Sequence, residues 1–485
     1  MITSGPTPTA TASRPAPSSS AATAAPATGS LTTLLWTRSL RGDRDLGPTV
    51  VEGRVPDDLR GSLYRNGPGA FESFGRRYAH PFEGDGALTT VRFDGAAPRA
   101  GSRLTESAGL VEERAAGRAL YGTHLPWARK LANALRGKGK NTANTSVVAW
   151  QGRLFALMEA ARPTEIDPVT LRTIGETDLD GVIHGWFSAH PHRVASRRTT
   201  YNFGVEYGRK TKLHLYALPD TGPARTLATL ELDGGPMLHD FIATDEHLVF
   251  FVSPTRVNAL RALTGIGDFT QLFGWKPELG TEIIVVPIDD PSAPIRFKTD
   301  AFYQWHFANA WSRPGEVVVD YVRYPDFGSF AELGHLADSH QPALSQARYH
   351  RAVIDLRARR LRSDALADAV CEFPKVHPRV EGAAHQVAWL ALGDLEGLGC
   401  LDVSTGAITA HRVPAHQRVS EPIFVPRAGA TDERDGHVLA LCFDGQRDES
   451  FVAIYDGREL AAGPTARIWL GYAVPITFHG VWVPA

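Results

Sequence analysis

Four histidines stand in settings that suit metal ligation: His190 in SAHPHR, His239 in PMLHDF, His306 in QWHFANAW and His479 in TFHGVW. Each lies in or beside an apolar or aromatic, strand-like stretch. Imidazole is a good ligand for zinc, copper, iron and nickel. The separations, 49, 67 and 173 residues, are long and unequal. A helical motif of the HExxH kind would space its ligands one turn apart, so these would have to come from separate strands that converge on an axis. Neutral imidazoles leave the charge of a divalent ion uncancelled, and a metal-bound histidine usually passes its other N–H to a carboxylate or carbonyl. Glu159 closing LFALME, Glu372 in CEFPKV and Glu421 in SEPIFVPR sit in apolar segments, where an unpaired charge is costly. The competing reading makes each histidine an ordinary core residue with a satisfied hydrogen bond, and each glutamate an ordinary buried ion pair. Spacing alone leaves both readings open. His192, His214, His247, His350, His377 and His411 stand among charged or turn residues and are expected at the surface.

The elements that would position such ligands are strands. From about residue 40, runs of four to seven apolar or β-branched residues are closed by Gly, Asp, Asn or Pro, as in TTVRFDG (89–95), EHLVFFVSP (246–254) and HVLALCFDG (437–445). WQGRLFA reads as a hairpin turning at Gln151-Gly152, and 394–414 as another turning at Thr405-Gly406. Such units continue to the C-terminus without a linker. This predicts one all-β domain over 39–485, too long for a simple sandwich and of a length that fits a propeller. No strict WD or kelch repeat is present. The innermost strand of every propeller blade lines the axis, which is the geometry the histidines need.

The chain has 485 residues, a net charge of -2 and 43% hydrophobic residues. It lacks the basic excess of a nucleic-acid protein. Three cysteines at long spacing, Cys371, Cys400 and Cys442, make neither a disulfide framework nor a CxxC zinc site. The Ala/Thr/Ser/Pro-rich segment 1–38 reads as a disordered tail without the apolar core of a secretory signal, and no stretch approaches a membrane span. A cytoplasmic location follows as the expectation. Two segments break the β rhythm. HLPWARKLANALRGKGK (124–140) places Trp127, Leu131, Ala134 and Leu135 at helical spacing beside a basic side, and either touches a membrane surface or packs on the propeller. Segment 256–275 is apolar and irregular.

An ordered set of segments carries a resemblance. LRGSLYRNGPG, HPFEGDGALTTVRFDG, NTANTSVVAWQGRLFALMEA, FSAHPHR, MLHDFIATDEHLVFF, WKPELGTEIIVVP, WHFANAW, CEFPKV, SEPIFVPR and FHGVWVP run in this order from Leu59 to the C-terminal end. With them the chain resembles the carotenoid cleavage oxygenases, in their bacterial form, a family that also holds apocarotenoid- and stilbene-cleaving members.

The resemblance implies a seven-bladed β-propeller with helices and loops capping one face over a hydrophobic tunnel. It implies Fe(II) held by His190, His239, His306 and His479, with Glu159, Glu372 and Glu421 orienting them. Thr145 matches a residue whose methyl crowds an open coordination position. The implied reaction is oxidative cleavage of a conjugated C=C bond by O2 to two carbonyl products. The implied partner is a long, apolar, conjugated small molecule met at a membrane surface, with 124–140 as the peripheral contact. Trp305 stands where relatives carry Phe, and His192 where many carry Lys. Stilbene cleavage is the alternative, for which Tyr121, Lys138 and Lys140 are the available phenol-binding groups. A propeller hydrolase or lactonase using Ca2+ would need oxygen ligands instead, and a non-catalytic or isomerising relative would keep the same ligands.

Overall fold

Short apolar runs separated by turn residues can satisfy their backbone groups only by pairing with one another, and here they pair as antiparallel hairpins. The structure, a computed structural model, describes residues 1, 31–78, 80–95, 97–258, 260–261, 269–334 and 347–485. Ser146–Trp150 turns into Arg153–Leu157 through Gln151 and Gly152, at φ 50° and 76°. Two residues at positive φ give the turn that matches strand twist. Gly397–Asp402 and Ile408–Arg412 form the second expected hairpin, with Gly406 at φ 76°.

The hairpins assemble into seven blades, as the sequence led us to expect. The first blade joins the two ends of the chain. Its strand Gly61–Ala70 pairs with Asp85–Phe93 on one side and with the last strand, His479–Pro484, on the other. Ring closure of this kind leaves no long free edge. The next three blades are built from 146–176, 192–232 and 242–299. The fifth and sixth share the long strand Arg360–Lys375, whose first part pairs with Arg348–Asp355 and whose end pairs with Val387–Leu392. The seventh spans 417–469 and takes Val50–Gly53 as an outer strand. At the closure the backbones nearly touch. A Cβ on Gly480, directly after His479, would lie 2.5 Å from the Tyr64 carbonyl oxygen, and one on Gly67 would lie 2.4 Å from that of Ile476. Contacts this close leave room only for hydrogen, which accounts for the glycines of NGPG and FHG.

Outside the sheets lie helices α1 (Leu31–Thr37), α2 (Ala108–Ala116), α3 (Trp127–Leu135) and the short helix Gly328–Gly334, of which α1 and the short helix reach the cavity described below. The expected tail boundary at 38 is too late, because α1 buries Leu35 and Trp36 and its Thr32 Oγ1 donates to Asp394 Oδ2 at 2.6 Å. The rest of that expectation, 2–30, lies outside the described residues. The predicted helix in 124–140 is α3. Of the irregular segment, Thr255–Val257 pairs with Phe273–Trp275, and 259 and 262–268 lie outside the described residues. All three cysteines are buried and free. Three histidines expected at the surface, His214, His247 and His377, are instead buried. His214 is satisfied by Thr229 and Glu206, His247 bonds Ser312, and Nδ1 of His377 accepts from the Arg379 N–H. A charged neighbour in sequence is no guide to exposure when alternate residues of a strand face opposite ways.

Candidate metal centre

Each blade contributes one residue to the axis, because each begins or ends on an innermost strand. His479 opens the closing strand, and Thr145 precedes Ser146–Trp150. His190 and His239 lie just before His192–Val194 and Ile242–Ala243, and His306 lies within Tyr303–Arg313. Glu372 is near the end of Arg360–Lys375, and Glu421 just precedes Ile423–Pro426. Seven residues from distant segments therefore meet, and Glu159, beyond Arg153–Leu157, joins them.

The ring centroid of His190 lies 4.3 Å from that of His239, 5.3 Å from His306 and 4.7 Å from His479. His306 and His479 are 4.8 Å apart. One nitrogen from each of His190, His239 and His306 lies within 4.8 Å of the others. Three of the rings are turned by carboxylates. His239 Nδ1 stands 2.8 Å from Glu159 Oε1, His306 Nδ1 2.6 Å from Glu372 Oε2, and His479 Nδ1 2.8 Å from Glu421 Oε1. For His306 and His479, whose Nδ1 is hydrogen-bonded, Nε2 is the nitrogen left for the centre, and His239 Nδ1 makes the same close approach to its carboxylate without hydrogen-bond geometry. His190 lacks such a partner, since Asp240 Oδ1 is 4.0 Å from its Nδ1, and its buried Nε2 has no hydrogen-bond partner. An orphaned buried nitrogen facing three other imidazoles fits a metal ion. So does the donor set, which suits iron or another first-row metal.

Electrostatics favour the neutral form of two of these imidazoles, His190 and His479. Burial, reinforced by the other three rings, pushes His190 far below the usual histidine range. Burial takes His479 down to about 4 despite Glu421. For His306, Glu372 outweighs burial and raises the ring. Burial alone would raise Glu159 and Glu421. His239 for the first, and Lys375, His479 and Arg65 for the second, outweigh it and hold both below the ordinary carboxylate range.

Sequence reasoning missed several members of this shell. Asp240 is buried, accepts from the Phe307 N–H at 2.9 Å and contacts His192 Nε2 at 2.9 Å. Tyr324 donates to Glu372 Oε1 at 2.8 Å. Arg65 and Lys375 both contact Glu421, at 2.7 and 3.0 Å. Arg65 could have been found, because an arginine inside the apolar run of LYRNGPG must be buried with a partner. Asp240 carried no such signal beyond its place next to His239.

Above the imidazoles lies an apolar cavity, bordered by His239, His306, His479 and Thr145 and walled by Phe82, Trp305, Phe373 and Phe478. The Trp305 ring meets His239 edge-on at 4.7 Å while its Nε1 donates to Ser329 Oγ at 2.8 Å. Phe373 sits at φ 52°, a costly conformation for a bulky residue, with its N–H donating to Glu372 Oε2 at 2.7 Å. Trp36 of α1 and Leu333 of the short helix complete the wall. Tyr121, Lys138 and Lys140 are not among the lining residues. Lys140 is held by Asp85 and Glu113 at 2.7 Å each, Lys138 lies 3.5 Å from Glu112, and the Tyr121 hydroxyl bonds Glu112.

A propeller with an imidazole cluster on its axis, carboxylates behind the rings and an apolar chamber above them defines a metal-dependent oxygenase acting on apolar molecules. Residues 39–484 match the family of the retinal pigment epithelial membrane protein. The apocarotenoid-15,15'-oxygenase of Synechocystis is 30% identical over 89% of this chain and 92% of its own length. The isoeugenol monooxygenase of Pseudomonas nitroreducens is 27% identical, over 93% and 97%. The crystal structure of cobalt-substituted Synechocystis ACO aligns with TM-score 0.85 and 28% identity, over 94% of this chain and 98% of that one. The chain belongs to this family of non-haem iron, carotenoid- and stilbene-cleaving oxygenases.

Proposed function

We propose that the protein is an Fe(II)-dependent dioxygenase that cleaves a conjugated C=C bond of a carotenoid or apocarotenoid, with His190, His239, His306 and His479 as the iron ligands. The observation that carries the reading is the convergence of four imidazoles, three of which border an apolar cavity. Iron, when bound, supplies activation of O2 toward the electron-rich double bond without an external reductant. The chain does the rest. Glu159, Glu372 and Glu421 fix the ring orientations. The aromatic wall binds the polyene by burial, worth roughly 25 cal/mol per Å² of apolar surface, and excludes water. The Thr145 hydroxyl donates to Asn144 Oδ1 at 3.1 Å and faces Glu159 at 3.4 Å. With the hydroxyl so engaged, the methyl is the part of Thr145 left to border the cavity, where it would limit access to a bound metal. Carotenoid cleavage is favoured over stilbene cleavage because Tyr121, Lys138 and Lys140 are engaged away from the cavity.

The test is incubation of the iron-loaded protein with carotenoids, apocarotenals and hydroxystilbenes, under 18O2 and under nitrogen. Polyene bleaching with two carbonyl products, only in oxygen, is expected. His239→Ala loses iron and turnover together. Cleavage of stilbenes alone, or full activity of His239→Ala, overturns the reading.

The membrane-surface contact belongs to α3. No residue of α3 is buried, and Trp127 and Leu135 are 62% and 70% exposed beside Arg129, Lys130, Arg136 and Lys138. No described helix is long and apolar enough to cross a membrane. An apolar edge left open on a basic helix suits the surface of an anionic bilayer. Trp127→Glu with Leu135→Glu should weaken binding to anionic liposomes and spare cleavage of detergent-dispersed substrate. Unchanged liposome binding would refute the contact.

A further inference from the structure

Four carboxylates stand around the imidazoles: Glu159, Glu372, Glu421 and Asp240. Each meets donors. Glu372 takes Tyr324 and the Phe373 N–H besides His306, and Asp240 takes the Phe241 and Phe307 N–H groups. Two cations touch this set, and both touch Glu421: Arg65 Nη1 at 2.7 Å and Lys375 Nζ at 3.0 Å. Among the described residues, Glu159 and Glu372 make no ion pair with lysine or arginine. With the four imidazoles neutral, as metal ligation requires, four carboxylates against two cations leave these groups at a net -2. A divalent ion brings it to zero, whereas a trivalent ion leaves one positive charge uncompensated in a buried site, where charge interacts strongly.

We propose that Arg65 and Lys375 are positioning residues that trim this shell to the charge of a divalent ion and so hold bound iron in its ferrous state. The inference rests on the metal-site reading given above and adds to it the role of these two cations. They act through Glu421, whose charge is divided among Arg65, Lys375, the Gly480 N–H and His479 Nδ1. His479 therefore receives less electron push than His306. Arg65 is fully buried and also bonds Thr477 Oγ1 and the Phe478 carbonyl, so it is part of the frame. Lys375 is the adjustable member. Its side chain is 39% exposed and borders a second cavity with His192 and Glu381. Glu381 shares that cavity and interacts with His192 and Lys375; burial raises its carboxyl, and it stands outside the four carboxylates counted.

The experiment loads full-length wild type, Lys375→Gln and Lys375→Arg with Fe(II) without oxygen and titrates each with ferricyanide/ferrocyanide mixtures. Each bound Fe(II) gives one electron to one ferricyanide, which becomes ferrocyanide, and the ferric product is read by electron paramagnetic resonance. Lys375→Gln should be half-oxidised at a ferricyanide-to-ferrocyanide ratio about three- to tenfold lower than wild type, the effect of one charge removed from a partly hydrated place. Lys375→Arg should match wild type, and the difference should shrink as salt is raised. A ratio unchanged in Lys375→Gln, or shifted as far in Lys375→Arg, overturns the proposal. Iron uptake by His306→Ala equal to wild type overturns the metal-site reading itself, and the proposal with it.

Discussion

Glu372→Gln separates the orientation of a ligand from the mere filling of space. Glu372 is 1% exposed and accepts from His306 Nδ1 at 2.6 Å, the Phe373 N–H at 2.7 Å and Tyr324 at 2.8 Å. The amide has the same shape but one acceptor oxygen, so it keeps the His306 and Phe373 N–H groups only with its NH2 turned to the Tyr324 hydroxyl, and in the other orientation those donors lose their partner. An unsatisfied buried donor costs about 1–3 kcal/mol of fold stability. Loss of the carboxylate behind a metal-bound imidazole typically costs 10–100-fold in metal affinity. Metal that binds only the folded state stabilises it by about 2.7 kcal/mol when present at a hundred times its dissociation constant. A hundredfold weaker site forfeits most of that. For 485 residues the unfolding entropy is about 1 kcal/mol per degree. The metal-dependent rise in melting temperature should therefore fall by ~2 °C, separately from any fall in the metal-free melting temperature. Differential scanning calorimetry with and without Fe(II), paired with chelator competition, measures both. A variant that melts lower without metal but keeps the full metal-dependent rise would show that Glu372 only fills and pairs, and the orientation argument would be wrong.

Trp36→Ala should open the cavity wall and raise KM for the shorter substrates most, at a stability cost of about 3–5 kcal/mol; steady-state kinetics across substrates of graded length, with a denaturant melt, checks both. Burial takes His350 down to about 4. Its unfolded value is about 6.5. Between these values the unfolded chain binds a proton that the folded chain refuses, so His350 makes the protein less stable as pH falls from about 6.5 to 4, and not above that window. Denaturant melts at several pH values should show a shallower acid loss in His350→Gln, and parallel curves would contradict the assignment.

Much of the site was legible in the chain. His190, His239, His306 and His479 were recognisable because an imidazole in an apolar strand needs a partner, and the segments around them carried the family likeness. Glu159, Glu372 and Glu421 followed from the cost of unpaired charge. Spacing alone could not choose between ligands and satisfied core residues. The ring distances and the His190 Nε2 without a hydrogen-bond partner support the ligand reading.

The sequence by itself determined the residue types, the β rhythm, the hairpin turns at Gln151-Gly152 and Thr405-Gly406, and the membership of a family. Tertiary structure alone decided which groups meet. Arg65 and Lys375, far apart in the chain, both reach Glu421. Residues 31–37, which by composition read as the end of a tail, became a wall of the cavity. Histidines in charged contexts, such as His214, turned inward to partners on neighbouring strands. The reason is that local composition fixes periodicity and turn chemistry within a few residues. Charge balance and burial depend on which blades face the same axis, and that is settled only when the ring closes.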